Sequence, residues 1–293
     1  MRQVLAAWLF LLGGFFRNIK TAVGFLISVV VCFLLSGTVV EVTKYYGTST
    51  QAAEPFLWTF GDGTAVLLVS LLLIFLFSDL PGITAFTPFY LVRMTKKRWL
   101  AAQFLYILAV TVLYVVFVLG ATMLLCMKNS YIENVWSETA AILGYSGAGE
   151  VWKIPSTVRA MESIRPYGCM LQAALLMLGY GLTLGVLILF GNLRSGKNYG
   201  MLFAMGYSLY GFLLDPKVLG KLLKLETYEM YRVRSAVGWI SPLNHAVYSM
   251  HDFGYDNLPG IWQSVGLFSG ITAVLCVLSC RVLKKYPFTF LGS

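Results

Sequence analysis

The sequence predicts an all-α integral membrane protein with six transmembrane helices, on three observations. Of its 293 residues 58% are hydrophobic and 12% charged, where soluble domains run near ~45–50% and ~25%. Six runs contain no Asp, Glu, Lys or Arg: 21–40, 63–78, 100–126, 167–191, 198–214 and 259–280. Positive charge is also divided unequally among the segments between those runs. This composition excludes disorder and argues against a soluble globular enzyme.

The first element expected is a membrane-interface helix over 1–20. Its basic start and the apolar stretch Val4 to Phe16 share features with a signal peptide, but Arg17 and Lys20 follow, no A-x-A site appears, and a full-length apolar run comes next. Trp8, Phe15 and Phe16 suit the headgroup level. A spanning helix needs about 20 mostly apolar residues, which places spans near 21–40, 60–80, 100–126, 167–191, 198–214 and 259–280. The second and fifth runs are short, and either borrow flanking turns or do not cross as simple straight helices. Residues 1–293 read as a single transmembrane domain.

The connections alternate in character. Segments 1–20, 79–99, 192–197 and 281–293 hold twelve Lys and Arg and one acid, Asp79. Segments 41–62, 127–166 and 215–258 hold ten basic and twelve acidic residues over a much greater length. The positive-inside rule makes the first set cytoplasmic, with both termini inside a plasma membrane. Within 215–258, residues 216–234 read as a short amphipathic helix, and 239–260, with Pro242, Gly254 and Pro259, as a re-entrant or surface-lying segment before the last span. The net charge of +9 is assigned to anionic lipid rather than to nucleic acid. Cys32, Cys126, Cys169, Cys276 and Cys280 form no CxxC pair and read as small core residues.

Several motifs suggest chemistry and are weighed against simpler readings. Gly191 to Asn198 matches G-x-x-x-x-G-K, but Asn198 stands where a phosphate loop needs Ser or Thr for Mg²⁺, and an apolar run precedes it instead of a strand. A hairpin between two spans explains it, so no ATP hydrolysis is expected in this chain. Gly144-Tyr145-Ser146-Gly147 resembles the G-x-S-G of intramembrane serine proteases, yet falls in an outer loop. His245 and His251 are the only histidines; six residues apart, they make a poor zinc site, and hydrogen-bonded loop histidines or a pH sensor remain. Charge-free spans argue against a proton-coupled pathway. Any substrate surface is then apolar, aromatic and hydroxylic, as Tyr199, Tyr207, Ser208 and Tyr210 would supply, with helix packing the simpler account of that stripe. Arg93, Lys96, Lys97 and Arg98 before Trp99 form either a topology-setting cluster or a docking surface for a cytoplasmic partner.

The order of these features resembles the permease subunit of type-2 exporters of the ATP-binding-cassette (ABC) family. The likeness covers nearly the whole chain: an N-terminal interface helix, six spans, the basic stretch Phe89-x-x-x-Arg93-x-x-x-Lys97-Arg98-Trp99-Leu100, the tight turn Asn192 to Lys197, and the outer Trp239-Ile-Ser-Pro242-Leu before the last span. The outer loop 127–166 is longer than in a minimal member. The resemblance implies pairing with a second permease, as a homodimer or heterodimer. It also implies separate cytoplasmic ABC ATPase subunits that hold ATP and Mg, with no cofactor in this chain. Phe89, Arg93, Lys96, Lys97, Arg98, Asn192, Arg194 and Lys197 would couple to the ATPase, and Tyr199, Tyr207, Ser208 and Tyr210 would line the pathway. Expected cargo is an antimicrobial peptide, a drug-like amphiphile or a lipid-linked molecule. Two rivals remain: an intramembrane hydrolase using Ser146 with His245 or His251, and a non-transporting membrane scaffold or sensor.

Overall fold

A computed structural model describes residues 2–82, 94–155, 158–196, 198–214, 220, 230–254 and 257–286. Each of the six apolar runs lies on a helix. Helix α1 spans Arg2–Arg17 and α2 Ile19–Tyr46. Between them Asn18 leaves the helical region and its side chain accepts from Lys20 N, a local N-cap that turns the chain. The two-residue strand β1 (Thr50–Gln51) and helix α3 (Glu54–Thr59) lead to α4 (Gly63–Leu76), whose N-cap is Asp62. Next come α5 (Lys96–Cys126), β2 (Ser130–Tyr131), α6 (Glu138–Tyr145), α7 (Ala148–Val151) and α8 (Val158–Ser163). Helices α9 (Pro166–Ser195), α10 (Tyr199–Leu213), α11 (Met230–Ile240) and α12 (Ile261–Lys285) complete the order.

Four helices among the described residues are long and apolar enough to cross a membrane: α2, α5 with its 3₁₀ extension to Asn129, α9 and α12. Helix α4 has 14 residues and α10 has 15. At 1.5 Å per residue these give roughly 21–23 Å, short of a ~30 Å hydrocarbon core. Both are stopped by local geometry. Asp62 caps α4 at its start, and Phe77 closes it, its N–H still bonded to the Leu73 carbonyl. Helix α10 begins after left-handed Asn198 and ends at Leu213, where Leu214 leaves the helical region. The long helices instead overrun the expected bounds. Helix α2 continues through Glu41 and Lys44, and α9 absorbs Asn192 to Ser195, so the expected six-residue inner turn shrinks to the link before Tyr199. The amphipathic helix expected over 216–234 falls largely outside the described residues; its described end, from Met230, is helical.

Helix α9 sits at the centre of the bundle, packed on α4, α5, α10 and α12. Its buried face carries Leu176, Tyr180, Leu184, Ile188 and Leu189. Helix α2 enters with a seam of small residues four apart (Gly24, Ser28, Cys32 and Ser36), all buried, against α4 and α5. Small residues let apolar helices approach closely where no water drives them together. Burial leaves polar groups in this core to be satisfied internally. The Tyr114 hydroxyl lies 3.0 Å from Ser28 Oγ and donates to the Val69 carbonyl at 3.2 Å, tying α2, α4 and α5. The opposite face of α2 exposes Leu26, Val30, Phe33 and Leu34. Cys32, Cys126 and Cys169 are buried, as expected of small core residues, whereas Cys276 is half-buried and Cys280 is exposed.

Candidate functional site

The basic segments converge at one end of the bundle. There, Lys20 Nζ pairs with Asp79 Oδ1 at 2.6 Å, and Asn18 Nδ2 donates to the other carboxylate oxygen at 3.2 Å. The single acid of the inner set is thereby tied to the α1–α2 junction. Arg98 Nη1 donates to Gln3 Oε1 at 2.7 Å, fixing the start of α5 to α1. Lys96 Nζ donates to the Tyr286 carbonyl at 3.2 Å, fixing the same turn to the end of α12. Lys96, Lys97, Arg98 and Arg194 are exposed. Phe89, Arg93 and Lys197, also expected to couple, lie outside the described residues.

Among the described residues of the expected coupling set Asn192 differs, because it is 2% exposed. Its Nδ2 donates to the Leu80 carbonyl at 2.7 Å, and its Oδ1 accepts from Gly200 N at 2.8 Å. One side chain therefore joins the end of α4, the end of α9 and the start of α10. Beside it, Gln103 Nε2 donates to the Pro81 carbonyl at 3.0 Å. The described residues of the G-x-x-x-x-G-K motif, 191–196, are the end of helix α9 and its cap, with Gly196 and, beyond the motif, Asn198 at positive φ; a helix and not a strand leads into it.

The four residues expected to line a pathway are not on one face. Ser208 is fully buried and accepts from Tyr180 Oη at 2.9 Å, so it packs α10 on α9. Tyr207 stacks on Tyr180, with centroids 6.3 Å apart and planes at 27°. Tyr199 and Tyr210 are about half exposed, at 52% and 50%. Gly200, Ala204, Ser208 and Gly211 form the buried face of α10. The stripe is thus divided between helix packing and an outward aromatic surface.

The far end folds into a small lobe that spacing did not reveal. Strands β1 and β2 pair in parallel, Thr50 opposite Ser130. Below them the Glu54 carboxylate is fully buried. It accepts from Gln51 N at 2.9 Å, Ser137 N at 2.7 Å and Ser137 Oγ at 2.5 Å. Burial pushes this carboxyl up to about 7, while the three donors pull it back. The only sequence signal was a lone acid set among Ala53, Pro55, Phe56 and Leu57.

Ser146 is exposed and its hydroxyl donates to the Ile142 carbonyl at 2.5 Å. The two histidines lie elsewhere, buried at 2% and 1% exposure. His245 Nδ1 is 2.7 Å from Ser264 Oγ and its Nε2 is 3.0 Å from the Trp239 carbonyl. His251 Nε2 is 2.9 Å from the same Ser264 Oγ, and its Nδ1 is 2.9 Å from the Val247 carbonyl. With all four ring nitrogens so engaged, neither imidazole addresses Ser146. The turns carrying them, Asn244–Ala246 and Tyr248–Met250, pack against α9, as irregular backbone shielded by protein. Ser241 Oγ donates to the Gly211 carbonyl at 2.7 Å, satisfying an acceptor in the last turn of α10. Sequence reasoning singled out the histidines but missed Ser264, an ordinary serine in the first turn of an apolar helix.

No family model matches the chain, and no curated protein or solved structure matches it either.

Proposed function

We propose that this chain is the membrane-spanning permease subunit of an ATP-driven exporter of the ABC type. The reading rests on the order of sequence features and on one geometric observation. The N-terminal helix, the segment after α4, the basic start of α5, the α9–α10 turn and the end of α12 are hydrogen-bonded into one basic end. Coupling to a soluble ATPase requires such an end, because force applied there must reach several spans together. In this reading α4 and α10 complete six crossings, and both termini face the cytoplasm. A second permease covers the exposed apolar faces, and ATP and Mg stay in the partner ATPase. Cargo of amphiphilic character, whether peptide, drug-like or lipid-linked, suits the outward aromatic surface of Tyr199 and Tyr210.

The test is gentle affinity purification from the native membrane, with identification of co-purifying chains and an ATP hydrolysis assay. The expected result is a stoichiometric soluble ATPase. Combined replacement of Arg93, Lys96, Lys97 and Arg98 by Gln should release it or uncouple transport while the chain stays folded. Purification of the chain alone, with no nucleotide turnover in any fraction, would overturn the proposal.

A further inference from the structure

The histidine pair carries an inference independent of the exporter reading, and it follows from counting hydrogens. His245 Nε2 faces the Trp239 carbonyl, and His251 Nδ1 faces the carbonyls of Val247 at 2.9 Å and Tyr248 at 3.3 Å. A carbonyl only accepts, so both of these nitrogens carry hydrogen. In neutral imidazoles the remaining nitrogens, His245 Nδ1 and His251 Nε2, are then both acceptors. Both face one hydroxyl, Ser264 Oγ, at 2.7 and 2.9 Å. That hydroxyl has a single hydrogen and satisfies one of them. The other lone pair meets the lone pairs of the oxygen, inside a site where Ser264 is fully buried. One added proton resolves the conflict: the protonated ring donates to Oγ, and Oγ donates to the neutral ring.

We propose that His245, Ser264 and His251 form a single-proton binding site that ties the outer segment 239–251 to the first turn of α12. The site is roughly 33 Å from the basic end, taking the 22 residues from Ser264 to Tyr286 at 1.5 Å each. Its ligand is a proton from the non-cytoplasmic side in the orientation given above.

The surroundings set where the proton goes. Among the described residues neither imidazole pairs with a carboxylate. On the neighbouring loop Asp252 Oδ1 accepts from Gly254 N. On the turn itself Tyr248 donates to Gln172. On helix α9 Cys169 lies against Tyr248 and Tyr180 against Phe268, α11 carries Arg232 and Arg234 on its exposed side, and Ser264 is the polar contact from α12. The aromatic rings of Trp239 and Phe268 flank His245. Burial lowers the proton affinity of both histidines, and that of His251 further, to about 4, with the charge of His245 opposing it as well. His245 is therefore the ring that takes the proton first, and its charge keeps the second proton out.

Since the chain has only two histidines, histidine-selective ¹⁵N labelling reports this site alone. The experiment is ¹⁵N NMR of the full chain in lipid nanodiscs, titrated from about pH 7.5 to about pH 4, with the free-histidine value of ~6.5 as reference. One ring should become doubly protonated below ~6.5 while the other keeps its Nδ1–H tautomer to near pH 4. Ser264→Ala should lower proton affinity at least tenfold, because the cation loses its acceptor, and Ser264→Thr should restore it. Two rings that titrate together near 6.5, or two that stay neutral to pH 4 in the folded chain, would overturn the proposal. An unchanged titration in a folded Ser264→Ala protein would do the same. If that variant does not fold, the wild-type titration alone decides between one proton and none or two.

Discussion

At the residue scale, the buried groups that matter are those whose hydrogen bonding is over-determined. Glu54 accepts from two backbone N–H groups and from the Ser137 hydroxyl, which can also accept, so an amide in its place turns its NH₂ toward one of the two N–H groups. Glu54→Gln should cost about 1–3 kcal/mol, the usual penalty for an unsatisfied buried group. The pH dependence has a definite sign. The folded-state value of about 7 lies above the unfolded one of ~4.3, so folding favours the protonated acid. That contribution is full below ~4.3 and is lost as pH rises through about 7. Thermal unfolding in micelles across this window should slope downward for the parent and lose the slope in Glu54→Gln; identical curves would remove Glu54 from the account. His251 has the opposite sign. Its folded value of about 4 lies below ~6.5, so its contribution is present above ~6.5 and fades as pH falls through 4. His251→Gln should flatten that acid-side decline.

At the element scale, the α9–α10 hairpin is held by close backbone approach and one amide. A Cβ on Gly200 would collide with the Ile188 carbonyl oxygen, and one on Gly191 would stand 2.6 Å from Gly200 Cα. Gly200→Ala must separate the two helices and should cost about 1–3 kcal/mol or more, read as a lower melting temperature. Asn192→Leu leaves the Leu80 carbonyl and Gly200 N–H buried without their partner, at about 1–3 kcal/mol for each group. If Asn192→Leu kept full stability but lost ATPase binding, Asn192 would be a direct coupling contact; the buried geometry predicts the reverse. The same element explains why the pathway stripe divides. A helix packed on its neighbour through Gly200, Ala204, Ser208 and Gly211 turns Ser208 inward and leaves Tyr199 and Tyr210 on the other side.

At the scale of the whole molecule, the two ends of the bundle differ chemically. One end gathers basic side chains, and the other holds the buried Glu54 and the histidine pair. The orientation proposed above predicts labelling by a membrane-impermeant maleimide in intact cells of a cysteine-free background. Val151→Cys, at an 81% exposed position of the lobe, should react from outside. Ser195→Cys and Lys284→Cys should react only after permeabilisation. Labelling of all three from the same side would break the topology. Exposed Leu26, Phe33 and Leu34 on α2 require a lipid or protein cover, which cysteine cross-linking at these positions would identify.

The helical class, the placing of each of the six charge-free runs on a helix and the uneven spread of basic charge were legible in the amino-acid sequence, although α2 runs on to Tyr46 and α12 to Lys285. These follow from local quantities: the length of charge-free runs and the energetic cost of an ion in hydrocarbon. Tertiary structure alone decided which side chains share a partner. Nothing in the spacing of His245, His251 and Ser264 announces that two rings meet one hydroxyl. Nor does the separation of Asn192 from Leu80 and Gly200 suggest a single amide joining three helix ends. Hydrogen-bond satisfaction in a water-poor core is a property of the assembled packing, because each donor's partner is set by which helices lie side by side.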